Sequence, residues 1–197
     1  MTRAIAYPAT GDQIGSLART LARAFQDEPS FGYIIPEPEA RQNALDRAFP
    51  MFIREDMATG VAYATQGCEA VTLWRAPGKM HDNLWDTIRL LPAYAASLRS
   101  GLMRGERVAR FMAKHHPKHP VWYLHFAGCD PAHQGKGMGG AAIRAGLARA
   151  DDDGIPAYLE TADAKNLGIY TALGFELVRE WDVPGGPHFW GMQRKPR

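Results

Sequence analysis

The chain has 197 residues, of which 46% are hydrophobic and 22% are charged, a composition typical of a folded globular protein. Its formal net charge of +2 gives no reason to expect nucleic acid or a membrane surface as a partner. The two cysteines, Cys68 and Cys129, form neither a disulfide framework nor a metal-ligand pattern. No secretory leader and no run of about 18 apolar residues is visible. We therefore expect a cytoplasmic protein with one domain over residues 1–197.

Hydrophobic periodicity and turn residues predict a helix-rich half, residues 1–118, followed by a half in which strands and helices alternate, residues 119–197. The predicted helices are Asp12–Phe25, Glu39–Ala58, His81–Ser100, Glu106–Lys114, Gly137–Asp151 and Asp163–Leu173. The predicted strands are Ile5–Tyr7, Val61–Thr65, Glu69–Arg75, Val121–Cys129, Ala157–Glu160, Phe175–Asp182 and Pro187–Gln193. Three prolines make Asp27–Pro38 a predicted loop. This order of elements predicts a single α+β domain around a mixed sheet.

The most informative segment is the loop between the strand that ends at Cys129 and the helix that begins at Gly137. It contains four glycines within six residues, at positions 135, 137, 139 and 140. The first backbone N–H groups of a helix have no partner inside the helix, and the positive end of the helix dipole favours anions. Glycines allow a ligand to approach this backbone closely. The loop therefore predicts a phosphate-containing ligand, with a pyrophosphate as the expected group.

Three phosphate-binding patterns compete for this loop. A Walker-type P-loop requires Gly-Lys followed by Ser or Thr, and no such string occurs in the sequence. Gly135, Gly137 and Gly140 match the dinucleotide pattern Gly-x-Gly-x-x-Gly, but that pattern belongs in a tight turn directly after its strand. Here residues 130–134 intervene. The third pattern is Gln-x-x-Gly-x-Gly, which begins at Gln134.

This third pattern resembles the coenzyme A loop of the GNAT superfamily of N-acetyltransferases, Arg/Gln-x-x-Gly-x-Gly/Ala. The resemblance continues in a second block, Leu159-Glu160-Thr161, then Asn166, then Tyr170-Thr171-Ala172-Leu173-Gly174-Phe175. From His116 onward the chain is also similar to the puromycin N-acetyltransferase-like members. The resemblance implies the GNAT acyl-CoA N-acyltransferase fold, a mixed, mostly antiparallel sheet that is splayed at the cofactor strand and flanked by helices.

The resemblance also implies acetyl-CoA as co-substrate. No metal is expected, because the spacing of the histidines matches no closed zinc site. The pyrophosphate is expected on the glycine loop and the pantetheine arm along the end of the preceding strand. The residues expected to bind acetyl-CoA are Ala127, Gly128, Cys129, Gln134, Gly135, Lys136, Gly137, Met138, Gly139, Gly140 and Asn166. One departure from the family concerns Asp163, which stands seven residues before Tyr170, where many members have an asparagine.

Two side chains are the candidates for catalysis by proton transfer. Tyr170 stands at the position of the family's general acid, and a phenol with a pKa of about 10 keeps the proton that it would donate to the departing thiolate. Glu160, at the end of an apolar strand, is the candidate general base, and His125 is the alternative. Because side chains alternate along a strand, we expect His125 on the same face as Ala127 and Cys129.

The predicted function is acetyl transfer from acetyl-CoA to a primary amine of a small molecule. A protein or peptide amine is an alternative acceptor, and an acyl-CoA-binding module without catalysis is an alternative function. The placement of the loop disfavours a nucleotide-dependent oxidoreductase. The oligomeric state is open, with a homodimer as one option.

Several further side chains were considered for binding roles. Candidates for the acceptor pocket, each also typical of packing, are Phe25, Asp27, Phe31, Tyr33, Trp85 and Trp190. The spacing of five histidines matches no closed zinc site, and these are His115, His116, His119, His125 and His133.

Overall fold

The structure is a computed structural model, and it describes residues 4–80 and 99–197. Elements are numbered in chain order within those residues. The helices are α1 (Ile14–Ala24), α2 (Pro29–Ile34), α3 (Pro38–Thr59), α4 (Arg99–His115), α5 (Met138–Asp152) and α6 (Leu167–Ala172). The strands are β1 (Ala6–Pro8), β2 (Gly60–Thr65), β3 (Ala70–Arg75), β4 (Trp122–Cys129), β5 (Ala157–Thr161), β6 (Glu176–Asp182) and β7 (His188–Arg194).

The seven strands form one sheet in the order β1-β2-β3-β4-β5-β7-β6. Every neighbouring pair is antiparallel except β4 and β5, which run parallel. The parallel pair is joined through α5, as a parallel connection requires a crossover. The predicted fold class, a mixed and mostly antiparallel GNAT-type sheet with flanking helices, is confirmed.

The sheet is covered on both faces by apolar side chains. On one face α1 and α3 pack through residues such as Leu21, Phe49 and Phe52. On the other face α5 packs through Ile143 and Leu147. The centre of the sheet is therefore buried on both sides, which explains why β3 is buried along its whole length.

Strand β4 contains a bulge at His125. Leu73 and Trp74 are adjacent on β3, yet they lie opposite Phe126 and Leu124, so His125 is an extra residue on β4. A bulge reverses the facing of the residues that follow it. Leu124 accordingly packs with α5, whereas Phe126 packs with α1 and α3.

Strands β4 and β5 separate soon after they meet. Their pairing covers three positions and ends at Leu124 opposite Leu159, although β4 continues to Cys129 and β5 to Thr161. The two strands therefore form a V that opens toward the loop after β4. Among the described residues, no strand pairs with β4 on this side over residues 125–129.

One loop prediction and two helix predictions need correction or lie outside the described residues. The predicted loop Asp27–Pro38 contains α2, because Glu28 accepts a hydrogen bond from the Phe31 N–H at 3.0 Å and Pro29 occupies the first helical position. The helix predicted over Glu106–Lys114 is longer in the structure, where α4 is helical from Arg99 to His115. The helix predicted over His81–Ser100 lies outside the described residues except for its last two positions.

Smaller differences concern the second half of the chain. The helix predicted over Asp163–Leu173 consists of a 3-10 turn, Ala164–Asn166, followed by α6. The hairpin predicted between the second and third strands is confirmed by the antiparallel pairing of β2 and β3. Of the helices in the described part of the chain, none has the length and hydropathy needed to span a bilayer.

Candidate active site

The glycine loop after β4 is held by hydrogen bonds at its start. The Asp130 N–H donates to the Glu69 carbonyl at 2.8 Å, and the Asp130 carboxylate accepts from the Ala132 N–H at 2.9 Å. The same carboxylate forms an ion pair with Arg23 of α1 at 3.0 Å. The loop is therefore anchored to both the hairpin and α1 before its glycines begin.

The glycines of this loop adopt a backbone conformation that other residues rarely reach. Gly135 has φ of 75° and Gly137 has φ of 77°, both in the left-handed region. Gly137 is the N-cap of α5, and the first hydrogen bond inside this helix runs from the Ala141 N–H to the Gly137 carbonyl at 3.0 Å. The N–H groups of Met138, Gly139 and Gly140 thus precede the helical ladder and can receive an anion.

The two polar side chains of the loop are exposed and fold back onto its backbone. Gln134 Nε2 donates to the Cys129 carbonyl at 3.4 Å, and Lys136 Nζ donates to the Ala132 carbonyl at 3.2 Å. Both contacts are weak and solvent-exposed, so either side chain can turn to a phosphate without a large cost. The predicted positions 134–140 therefore lie together around one helix N-terminus.

The predicted pantetheine strand presents its backbone to the opening of the V. Ala127, Gly128 and Cys129 pair with β3 on one edge, and their other edge faces the gap left by β5. Gly128 has a packing reason to be glycine, since an added Cβ would lie 2.8 Å from Leu21 and 3.0 Å from Ala24. Close packing against α1, rather than a ligand, accounts for this residue type.

The predicted acid, Tyr170, lies on the α5 side of the sheet. It is 8% exposed and packs edge-on against Phe175 at 6.0 Å between ring centroids. Burial, with the negative charges of Glu28 and Asp163, raises the pKa of Tyr170 to about 12. The phenol therefore stays protonated at neutral pH. Asn166, the N-cap of α6, lies one turn before it and makes no capping hydrogen bond through its side chain.

The side chain of the predicted base, Glu160, is fully buried, and both of its carboxylate oxygens accept hydrogen bonds. Tyr158 donates to Oε1 at 3.1 Å, and Tyr123 donates to Oε2 at 3.2 Å. His116 Nε2 also lies 3.3 Å from Oε2. Burial, with the nearby charge of Glu160, raises the pKa of both tyrosines, so both remain hydrogen-bond donors to the carboxylate.

His125 lies on the α3 side of the sheet. Its Nδ1 is 2.7 Å from Asp56 Oδ2, whereas Ala127 packs with the α5 cluster and Cys129 neighbours Gly139 of α5. The expectation that His125 shares a face with Ala127 and Cys129 is therefore wrong. The bulge at His125 interrupts the alternation on which that expectation rested.

Sequence reasoning missed Glu28, a carboxylate near Tyr170. It caps α2 by accepting from the Phe31 N–H and from the Ser30 hydroxyl. Burial raises the pKa of Glu28, and the negative charge of Asp163 adds to this effect. The Glu-Pro dipeptide, a helix-start signal, could have drawn attention to this position.

The candidate acceptor residues divide into packing and surface roles. Phe25 and Phe31 form an aromatic cluster with Phe49, with centroid distances of 5.5 to 6.3 Å. The Tyr33 hydroxyl accepts from Arg107 at 3.2 Å, and Trp85 lies outside the described residues.

Within residues 4–80 and 99–197 no group of His, Cys, Asp and Glu side chains could hold a metal ion.

Comparison with known proteins adds a family match. Residues 65–175 match the model of the Acetyltransferase (GNAT) family, which is more than half of the 197-residue chain. An uncharacterised N-acetyltransferase of Schizosaccharomyces pombe is 28% identical, over 80% of this chain and 68% of the yeast protein. The residues that match the family model include β4, the glycine loop, α5 and Tyr170.

Solved structures share the fold over the whole chain. A Corynebacterium glutamicum protein, described as histone acetyltransferase HPA2 and related acetyltransferase, is 24% identical with a TM-score of 0.75, covering 100% of this chain and 98% of its own. The polyamine N-acetyltransferase of Drosophila melanogaster, which forms N-acetylagmatine, is 16% identical with a TM-score of 0.63, covering 97% and 99%. An agmatine N-acetyltransferase is 16% identical with a TM-score of 0.66, covering 98% and 100%.

Proposed function

The chain belongs to the GNAT acetyltransferase family, and we propose that it transfers the acetyl group of acetyl-CoA to the primary amine of a small molecule, with Tyr170 as the general acid. One observation carries this proposal. The V between β4 and β5 opens beyond Leu124 and Leu159 toward the glycine loop, and Tyr170 belongs to the same buried cluster as these two leucines.

The residues of the V suit the donor. Acetyl-CoA carries a pyrophosphate and an extended arm with two amides. The first N–H groups of α5 suit the pyrophosphate, and the edge of β4 that faces the gap, at residues 127–129, supplies backbone donors and acceptors to the amides. Asn166, one turn before the phenol, is the proposed side-chain partner of the arm.

Tyr170 suits the leaving group. Aminolysis of the thioester forms an N–C bond, breaks a C–S bond and leaves a thiolate that takes a proton. With a pKa of about 12, the phenol holds that proton across the neutral range. A thiol has a pKa of about 8.5, below that of the phenol, so full proton transfer to the free thiolate is uphill by about 3.5 pKa units. The phenol therefore stabilises the departing sulphur as a hydrogen-bond donor, and prompt return of a proton from solvent to Tyr170 draws the transfer to completion.

The acidic surroundings of Tyr170 suit a cationic acceptor. Glu28 and Asp163 both act on the Tyr170 phenol, and a primary alkylamine with a pKa near ~10.4 arrives as a cation at neutral pH. Polyamine and agmatine acetyltransferases have the same fold. We therefore propose a small amine as the acceptor, with a peptide amine as the alternative.

The first experiment is thermal unfolding with acetyl-CoA, with NAD and ATP as controls. A ligand at about 100 times its Kd stabilises the folded state by about 2.7 kcal/mol, which is readily measured. A shift with acetyl-CoA alone supports the donor site. No shift with acetyl-CoA, or a larger shift with NAD, contradicts the assignment of the glycine loop.

The second experiment measures thiol release with an amine panel. The panel contains agmatine, an arylalkylamine, puromycin and a lysine-containing peptide; puromycin is included because similarity to the puromycin-type members remains a prediction. Release with a small amine that is lost in Tyr170→Phe supports the proposal. Release with the peptide alone favours the alternative acceptor, and binding of acetyl-CoA without release from any member of a broad panel favours the non-catalytic module.

A further inference from the structure

We propose that His125, oriented by Asp56, is the general base of this acetyl transfer. The inference rests on the proposed function and deepens it by assigning the proton acceptor. It is carried by a buried carboxylate–imidazole pair that spans from α3 to the bulge of β4.

The geometry of the pair is that of a base and the group that orients it. Asp56 is fully buried, and its two oxygens have different partners: Oδ2 lies 2.7 Å from His125 Nδ1, and Oδ1 accepts from Arg75 Nε at 2.6 Å. Burial alone would raise the pKa of Asp56, but the charges and hydrogen bonds of His125 and Arg75 outweigh it and lower the pKa. Asp56 is therefore an ionised hydrogen-bond acceptor.

An ionised acceptor fixes the tautomer of the imidazole. His125 Nδ1 must donate to Asp56, which leaves the lone pair on Nε2, on the far side of the ring from α3. In the described part of the chain, the hydrogen bond of the His125 ring is the one to Asp56. Contacts with the rings of Phe126 and Tyr123 fix the orientation of the imidazole. Their centroids lie 4.0 and 5.5 Å from the centroid of the His125 ring. The ring is thus preorganised as a proton acceptor.

The bulge places His125 at the vertex of the V. It is the first β4 residue beyond the last β5 pair, Leu124 opposite Leu159, and four residues before the end of the strand at Cys129. Four residues of strand span about 13 Å, so an arm anchored on the glycine loop and extended along β4 carries its thioester toward the vertex. His125 lies on the α3 face and Tyr170 on the α5 face, which puts base and acid on opposite sides of the opening.

The electrostatic surroundings keep the imidazole neutral. Burial lowers the pKa of His125, Asp56 raises it, Arg75 lowers it and Glu160 raises it, with a net decrease. The neutral Tyr123 hydroxyl, on the same strand, donates to Glu160. A neutral imidazole is the form that accepts a proton.

The proton transfers balance around the two groups. The cationic amine first loses one proton to solvent and reacts as the neutral nucleophile. As the N–C bond forms, a second proton of this nitrogen passes to His125 Nε2, directly or through one water molecule. As the C–S bond breaks, the sulphur takes the proton of Tyr170. Solvent then removes the proton from His125 and returns one to Tyr170. Glu160, whose oxygens both accept hydrogen bonds already, is a positioning residue for Tyr123 and Tyr158.

The test compares kcat and KM in four variants of the full chain: His125→Gln, Asp56→Asn, Glu160→Gln and, as a matched control, His119→Gln. His119 is exposed and lies 3.1 Å from Gln193. His125→Gln is expected to lower kcat about 100-fold with the KM for acetyl-CoA unchanged, and His119→Gln to leave both parameters unchanged. In Asp56→Asn, loss of the anion should move the acidic limb of kcat/KM to lower pH, with the same amine used throughout.

Two measurements keep the test independent of folding and of the acceptor. Imidazole added to His125→Ala should restore part of the lost rate, which a purely structural defect would not allow. Nitrogen-15 NMR of the imidazoles at pH 7 should show His125 as the neutral Nδ1–H tautomer, whatever the amine. If the wild-type enzyme is active and His125→Gln keeps its kcat within twofold of the wild-type value, this inference is overturned and the proposed function remains intact. An Nε2–H tautomer, or loss of kcat in Glu160→Gln alone, also overturns it.

Discussion

The indole of Trp74 lies directly against the backbone of Gly146 in α5. A Cβ atom added at this glycine would lie 2.1 Å from Trp74 Cε2, and Trp74 itself is fully buried. Its Nε1 donates to Thr72 Oγ1 at 3.1 Å, and that hydroxyl donates to the Ala142 carbonyl at 3.2 Å. This contact fixes how closely α5, and with it the glycine loop, approaches the sheet.

We expect Gly146→Ala to destabilise the fold. The alanine gains about 1 kcal/mol of helix propensity, but the buried indole cannot move aside without disturbing Thr72, and overpacking of this kind costs about 1–3 kcal/mol or more. The measurement is the free energy of unfolding in urea. Gly15→Ala in α1 is the matched control because no atom lies within 4 Å of its added Cβ, so it should be neutral or stabilising. Equal effects of the two substitutions would contradict the steric argument.

Positive φ at Gly137 leads to a prediction about the donor site. Gly137→Ala strains a left-handed backbone by about 1–2 kcal/mol at the N-cap where the anion is expected. We expect the Kd for acetyl-CoA, measured calorimetrically, to rise about 10-fold. Gly154 is the matched control, since it has φ of 66° beyond the other end of α5 and open space around its Cβ position. Gly154→Ala should cost similar stability without changing this Kd; a changed Kd in both variants would indicate a general folding defect.

Most helices and strands could be predicted because the residues that define each of them are neighbours in the sequence. The strand over Val121–Cys129 and the small-residue helix after Gly137 are marked by their own hydrophobicity, glycines and turn residues. The family resemblance then supplied the sheet. The order β5-β7-β6, which inserts the last strand, and the bulge at His125 depend on pairing between distant segments, which periodicity along one strand does not encode.

The acidic and basic groups of the site were harder to predict than its glycines. Glycines in a loop reveal a backbone requirement at their own positions. Asp56 and His125 are 69 residues apart, and nothing in helix α3 distinguishes Asp56 from a solvated carboxylate until the fold buries it against Arg75. Glu28 acquires its importance in the same way, because the fold brings its charge close enough to act on Tyr170.

A pH-dependent contribution to stability is expected from Asp151. It accepts two hydrogen bonds from Arg194, at 2.7 and 2.9 Å, and one from the Arg197 N–H at 2.8 Å. The hydrogen bond from Arg194 lowers the pKa of Asp151. A carboxylate with a lowered pKa stabilises the folded state above its unfolded pKa of about 3.9 and loses this effect as the pH falls through the folded value.

Asp151→Asn should therefore lower the Tm most at pH 6–7, and the Tm difference from wild type should shrink below about pH 4. The comparison variant is Asp152→Asn, at an exposed neighbouring carboxylate, for which we expect a small difference in Tm. A Tm difference for Asp151→Asn that stays constant down to pH 3 would show that the pair does not act through ionisation.

The raised pKa of Tyr170 predicts a flat alkaline range for kcat. An ordinary phenol with a pKa of about 10 is half ionised at pH 10, whereas one with a pKa of about 12 is about 1% ionised. We expect the wild-type kcat, at saturating substrates, to show no alkaline limb between pH 8 and 10. Tyr170→Phe should be about 100-fold slower throughout this range. A wild-type kcat that halves near pH 10 would contradict the role of the buried phenol.

Glu28 should set the affinity for a cationic acceptor. Burial raises its pKa, and a cationic amine favours its ionised form, so the KM of the amine should fall as the pH rises and Glu28 loses its proton. Glu28→Gln keeps an oxygen that can accept from the Phe31 N–H and cap α2, but it removes the charge. We expect the KM of the amine to rise about 10-fold and its pH dependence to weaken, with the KM for acetyl-CoA unchanged. Glu39→Gln, at an exposed carboxylate in the first turn of α3, should change neither KM. If Glu28→Gln leaves the KM of a cationic amine unchanged while its Tm remains that of the wild type, recognition of the cation does not involve Glu28 and the acceptor charge must be met elsewhere in the site.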